Sequence, residues 1–185
     1  MKIEVIAPPH PGLPTKQQLD LLHEGFKERL NQNINFGCAT YTLEQYRENT
    51  KDSYLLIASN ELGNTIGMIT LTPKNRMGLY FGHVENVVVT PNIKRSGVMT
   101  TLCSEMIGLA KKKGMSFLTS TTATNATSSV KWHKKNGFLK LRKLIFKNKN
   151  YSSYYFVMPL KWNFVTILIV ILRRPIYFIS SYICK

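Results

Sequence analysis

Acidic residues are missing from one long stretch of this chain. Between Lys131 and Lys161 no Asp or Glu stands against Lys131, Lys134, Lys135, Lys140, Arg142, Lys143, Lys147, Lys149 and Lys161. Cysteine is scarce as well: Cys38, Cys103 and Cys184 are scattered, odd in number, and form no CxxC or Cys/His cluster. That supports neither a disulfide framework nor a zinc site, so no metal is expected and a reducing, cytoplasmic setting is the simplest one. The opening MKIEVIAPPHPGLP has no apolar stretch of signal-peptide length, so export is not expected. No internal repeat is visible.

What is present is ample core material, with 44% apolar and 11% aromatic residues in 185. This suits one domain, expected over 1–162, and a short appendage over 163–185. The net charge of +15 implies an anionic ligand, a nucleic acid or an acidic membrane surface. The basic stretch reads as a solvated face that aids encounter with a polyanion, rather than as a specific nucleic-acid site.

Thr15 with Gln18, and Thr42 with Gln45, are capping-box patterns. The first precedes Leu19, Leu22, Phe26 and Leu30 at helical spacing, and the second a shorter helix, TLEQYREN. Strands are expected at Tyr54–Ser59, Thr65–Thr72 and Leu79–Thr90, forming an antiparallel meander. A helix over Gly97–Lys113 carries the stripe Val98, Leu102, Met106 and Leu109 and stops at Gly114. A strand at Met115–Thr122, a helix at Ser128–Asn136 and a hairpin of Phe138–Phe146 with Tyr151–Leu160 complete the pattern.

The richest segment is HVENVVVTPNIKRSGVMTT, His83 to Thr101. A β-branched strand stops at a Pro-Asn turn and passes through a basic, glycine-bearing loop into a helix. The first N–H groups of that helix lack intrahelical partners and its dipole adds partial positive charge, which favours a bound phosphate. The loop is not GxxxxGKS/T, and it has too few glycines for a dinucleotide fingerprint.

Lys94-Arg95-Ser96-Gly97-Val98-Met99 resembles the acyl-CoA loop of the GNAT superfamily of N-acetyltransferases, written Gln/Arg-x-x-Gly-x-Gly/Ala, with Lys94 and Met99 departing from it. WHKKNGF, Trp132 to Phe138, is similar to the family's Tyr-Glu-Lys-x-Gly-Phe helix end. The resemblance covers about Lys2 to Trp162. It implies an α/β (α+β) GNAT fold, with a mostly antiparallel sheet splayed at its middle strands and flanked by helices. It also implies acetyl-CoA-dependent transfer to a primary amine. Gly82 to Val89 looks most like the matching strand of glucosamine-phosphate N-acetyltransferases, which suggests an amino sugar or its phosphate or nucleotide derivative. A peptide amine, or a catalytically weak acyl-CoA-binding module, is the alternative.

The resemblance further implies that amides of Arg95, Ser96, Gly97, Val98 and Met99, with Lys94 beside them, cradle the CoA pyrophosphate. A free N–H among Val87, Val88 and Val89 would polarise the thioester. Glu85 would be the general base, its pKa raised by partial desolvation. His83, on the same strand face, either orients substrate or is a half-buried structural histidine. The family's thiolate-protonating Tyr falls at His133, with Tyr154 and Tyr155 as fallback acids. Asn125 either binds the pantetheine arm or belongs to a Ser/Thr run that caps the next helix.

From Asn163 the chain reads NFVTILIVILRRPIYFISSYICK, where Arg173, Arg174 and Pro175 divide two apolar pieces too short to span a bilayer. Such an appendage suits packing in a homodimer or peripheral contact with an anionic membrane.

Overall fold

A threonine three residues ahead of a glutamine opens each of the first two helices. Thr15 N–H donates to Gln18 Oε1 at 2.8 Å and Gln18 N–H to Thr15 Oγ1 at 3.4 Å, at the start of α1, Lys16–Asn31. Thr42 and Gln45 repeat the exchange at 2.9 and 3.2 Å ahead of α2, Leu43–Thr50. Each pair satisfies two amides that the helix leaves unpaired. The computed structural model describes residues 1–31, 37–76, 78–93, 95–146, 150–161 and 167.

Seven strands form one open sheet: β1 Lys2–Ile6, β2 Tyr54–Ser59, β3 Thr65–Arg76, β4 Leu79–Val89, β5 Phe117–Ala123, β6 Leu139–Ile145 and β7 Ser152–Pro159, in the order β1-β2-β3-β4-β5-β7-β6. The pairs β1–β2, β2–β3, β5–β7 and β6–β7 are antiparallel. Among the described residues four α-helices accompany the sheet, the remaining two being α3, Val98–Lys112, and α4, Thr127–Lys135. β1 was not expected. It is five residues long, sits half-exposed at the sheet edge and runs into a proline-rich segment, so neither length nor alternation marks it.

By contact the chain divides into two units. The first is Met1–Pro73 with Val84–Leu109, and its core packs Leu19, Leu21 and Leu22 of α1 against Tyr46, Met68 and Val88. Gly25 brings α1 close to β4, since a Cβ there would lie 2.7 Å from Val88 Cγ1 and 3.1 Å from its Cβ. Gly25→Ala gains about 1 kcal/mol of helix propensity but overpacks a stiff side chain at a cost of about 1–3 kcal/mol. The net expectation is a lower midpoint in urea denaturation.

The second unit is Lys74–His83 with Ala110–Lys185. Its core contains Phe117, Leu141, Tyr155 and Val157, with Phe81 stacked on Phe117 at 4.8 Å. Both helix ends here close in the same way. Gly114 (φ +77°) and Gly137 (φ +84°) donate N–H to Lys111 and Lys134, while Met115 and Phe138 donate to Ala110 and His133. These are Schellman closures, which need a left-handed residue and therefore favour glycine. The hairpin expected at the end is present, with β7 inside it and β6 at the edge. The appendage from residue 163 onward lies outside the described residues except at Ile167. No described helix is long and apolar enough to cross a membrane.

Candidate active site

Strand β4 carries the central feature of the first unit. Asn86 has φ +51°, a left-handed conformation just before the valine run of β4, and its side chain donates to Thr70 Oγ1 at 3.2 Å. Asn tolerates this conformation better than most residues. Glu85, just before the kink, is exposed, whereas Val84 is buried. The desolvation expected from its apolar neighbours in sequence is therefore absent, because strand alternation turns this carboxylate outward.

Glu85 is nevertheless held. Thr72 Oγ1 donates to Glu85 Oε2 at 3.2 Å, and Ser53 Oγ lies 2.9 Å from Thr72 Oγ1. With the Thr72 proton on the carboxylate, Ser53 must be the donor to Thr72. Ser53 is fully buried and Thr72 nearly so, and the Ser53 carbonyl accepts from His10 Nε2 at 3.0 Å. The Glu85 charge is felt around it. Burial pushes the Cys38 thiol up to about 12 and the Glu85 carboxylate adds to the rise. Tyr41 and Tyr46 are likewise raised, first by burial, with Cys38 and Glu85 adding to it. Cys38, Tyr41 and Tyr46 thus stay protonated around an acid that carries charge. None of Ser53, Thr72, Cys38 and Tyr41 has a sequence signal; Asn86, a turn former just before the valine run, has one.

The valines that follow divide between neighbours. Val88 is buried against α1, Val89 Cγ2 would lie 3.3 Å from a Cβ on Gly67, and Val87 is half-buried. Beyond the strand, Arg95 (φ +75°) and Gly97 (φ +87°) are both left-handed, and Gly97 O accepts the first helical bond of α3 from Thr101 N–H at 3.0 Å. Arg95, Ser96 and Gly97 are exposed, Met99 is half-buried and Val98 is buried. A Cβ on Gly97 would meet no protein atom within 4 Å. The Ser96 N–H between these two left-handed residues is given to the Ile93 carbonyl at 3.2 Å, so the amide expected there to cradle phosphate is already engaged. The first amides of α3 lack intrahelical partners and suit a pyrophosphate. Lys94 lies outside the described residues.

In the second unit His83 is half-buried, with Nδ1 2.8 Å from Thr119 Oγ1. His133 is 2% exposed. Its Nδ1 lies 2.7 Å from the Ser129 carbonyl, which only accepts, so Nδ1 carries the proton and Nε2 accepts from Ser120 Oγ at 2.9 Å. Its ring stacks on Phe156 at 4.4 Å between centroids. Burial lowers its pKa to about 4, against a smaller opposing effect of the Ser129 bond, so it is neutral at pH 7. Tyr155 is also buried, its hydroxyl pushed up to about 12 chiefly by desolvation. Tyr154 is half-buried beneath Lys140, whose Nζ lies 4.5 Å from the ring centroid. Asn125 is exposed. The α4 N-cap is Ala126 with no side-chain bond, so the Ser/Thr run does not cap this helix; Thr122 instead donates to Ser129 Oγ at 2.9 Å.

The low pKa of His133 sets a stability prediction. Unfolding restores an ordinary imidazole near 6.5, so between about 4 and 6.5 the unfolded chain binds more protons than the folded one. This contribution is complete above pH 6.5 and is lost as pH falls toward 4, by a few kcal/mol in the limit. His133→Phe should lower stability at pH 7 and flatten its decline from pH 7 to pH 5, as read by urea denaturation at each pH.

The profile described as "Acetyltransferase (GNAT) family" matches residues 20–138, more than half of the chain. The chain belongs to the GNAT acetyltransferase family. As a GNAT enzyme it is an N-acetyltransferase that uses acetyl-CoA. No curated protein matches its sequence significantly. Among solved structures, the ribosomal-protein-alanine N-acetyltransferase from Brucella melitensis superposes with a TM-score of 0.63 at 19% identity, over 86% of this chain and 99% of that one. A GNAT family acetyltransferase from Elizabethkingia anophelis with acetyl-CoA bound gives 0.58 at 19% identity, over 85% and 97%. The NatB acetyltransferase complex bound to CoA and MES gives 0.64 at 15% identity, over 87% and 100%. At these identities the likeness is one of fold.

Proposed function

We propose that this GNAT enzyme acetylates the primary amine of a small molecule, with an amino sugar or its phosphate or nucleotide derivative as the acceptor class. The observation that carries the catalytic part is the exposed Glu85 carboxylate, held by Thr72 and Ser53 beside the Asn86 kink. Glu85 takes a proton from the acceptor ammonium through water, leaving the free amine that attack requires. A main-chain N–H of the Val87–Val89 segment polarises the thioester carbonyl and stabilises the oxyanion that develops there. Amides at the start of α3, from Gly97 to Met99, hold the pyrophosphate of acetyl-CoA. His83 orients the acceptor.

His133 takes a different part in this proposal from the one its place in WHKKNGF suggests. A neutral imidazole with both nitrogens engaged and its ring on Phe156 is poorly suited to deliver a proton at pH 7. It positions α4 on β7, and the CoA thiolate departs without a proton from it.

The test is free-thiol release from acetyl-CoA with a panel of amines that includes glucosamine, its phosphates and short peptides. Thiol release dependent on the amino sugars supports this acceptor class. Release with peptides alone overturns the acceptor class while keeping the transferase.

A further inference from the structure

The charge of this protein is segregated. Residues 1–105 carry ten basic and ten acidic side chains, and residues 106–185 carry fifteen basic and none acidic. Lys74 and Arg76 bring the second unit to seventeen Lys and Arg without one carboxylate. Both described ion pairs, Lys16–Asp20 and Lys51–Glu48, belong to the first unit. A solubilising surface normally mixes signs, whereas a one-signed one repels itself and is suited to an external polyanion.

The structure places part of this charge on one face. In β6, Lys140 stands opposite Phe156, Lys143 opposite Tyr154 and Ile145 opposite Ser152, so these three side chains share a face of the hairpin. Phe156 stacks on His133 of α4, which makes it the face that α4 covers. On α4, Lys131, Lys134 and Lys135 stand three and four residues apart along one exposed side. Five exposed lysines therefore lie on α4 and on the sheet face that α4 covers, and Ile145, 81% exposed, adds an apolar side chain at the end of the same strand.

We propose that this α4–β6 face docks the enzyme on an anionic lipid bilayer. Charge complementarity alone suits any polyphosphate; the apolar component selects the membrane. Ile145 has no use against a phosphodiester backbone. The sequence that follows β7, from Asn163 to Lys185, is rich in Ile, Leu, Val, Phe and Tyr, with Arg173, Arg174 and Lys185 as its only charges. Stable peripheral binding takes two signals, a basic patch and an apolar segment, and this chain has both in succession. The proposal is independent of the acceptor and of the reaction.

The test is co-sedimentation of the full chain with vesicles of phosphatidylcholine alone and of phosphatidylcholine with phosphatidylserine, at physiological and at high salt. Binding to the serine-containing vesicles, weakened by salt and about a hundredfold weaker for the combined Lys131→Gln, Lys134→Gln, Lys140→Gln, Lys143→Gln variant, is expected. Arginine at the same four positions should retain it, and thiol release by both variants should match the unaltered chain. Equal binding to both vesicle types, binding indifferent to salt, or an undiminished glutamine variant would each overturn the proposal. So would capture by an RNA homopolymer with no binding to the serine-containing vesicles. Because the salt series uses the unaltered chain, a misfolded variant would not leave the idea unanswered.

Discussion

Glu85→Gln is expected to lower kcat by about a hundredfold or more, the ordinary range for removal of a general base, while leaving the affinity for acetyl-CoA nearly unchanged. The amide has the shape of the carboxylate and can still accept from Thr72 Oγ1, now 3.2 Å away, so the fold has little reason to respond. What it cannot do is take a proton. In the unaltered enzyme the rate should rise with pH, and in the variant that rise should flatten, because only spontaneous loss of the acceptor's proton remains. Steady-state rates across pH, with acetyl-CoA binding measured by calorimetry in parallel, read both halves of the prediction. An unchanged pH–rate profile would remove Glu85 as the base.

Thr72→Val separates position from chemistry at the same site. It deletes the donor to the carboxylate and leaves the buried Ser53 hydroxyl without its acceptor, while keeping the shape of the β3 side chain. The value of kcat should fall while acetyl-CoA affinity stays nearly unchanged, because the base is present but no longer held. Thr72→Ser, which restores the donor, should recover kcat. A simple loss of stability would instead lower the urea midpoint and acetyl-CoA binding together with activity.

The elements of this fold were legible wherever one local rule dominated. The two Thr/Gln boxes and the glycines at 114 and 137 are short-range signals that meet their expected partners, and the α3 stripe is buried at Val98, Leu102 and Met106, with Ala110 buried where Leu109 was expected. β1 was hidden because an edge strand of five residues is decided by its pairing with β2 and not by its own pattern. The loop after β4 and the acid before it were visible as residue types in order. The exposure of Glu85 was not, since a carboxylate in a largely apolar strand reads as buried until the strand face is known. His133 erred in the opposite sense: its place in WHKKNGF suggested a reacting group, while its ring is enclosed by Phe138, Phe156 and Trp132. The anchors Ser53 and Thr72 lie 19 residues apart and meet only through strand pairing, so nothing local announces them.

Gly97→Trp carries the second large effect. The φ of +87° makes any L side chain strained here, at about 1–2 kcal/mol, which the fold can absorb. Sterically the protein offers no resistance, because a Cβ would meet no atom of the chain within 4 Å. The space the indole enters is instead the open side of the α3 start, where the proposed pyrophosphate would lie. If the amides there hold the pyrophosphate, losing two charge-assisted hydrogen bonds of about 1.5 kcal/mol each should weaken acetyl-CoA binding by about a hundredfold. Gly97→Ala bears the same backbone strain with little bulk, so it should lose comparable stability and keep most of the affinity. Calorimetric titration with acetyl-CoA, beside urea denaturation of both variants, resolves the two effects. Retained affinity in the tryptophan variant would place the phosphates elsewhere. Equal loss in both variants would mean that the glycine serves the turn and not the ligand.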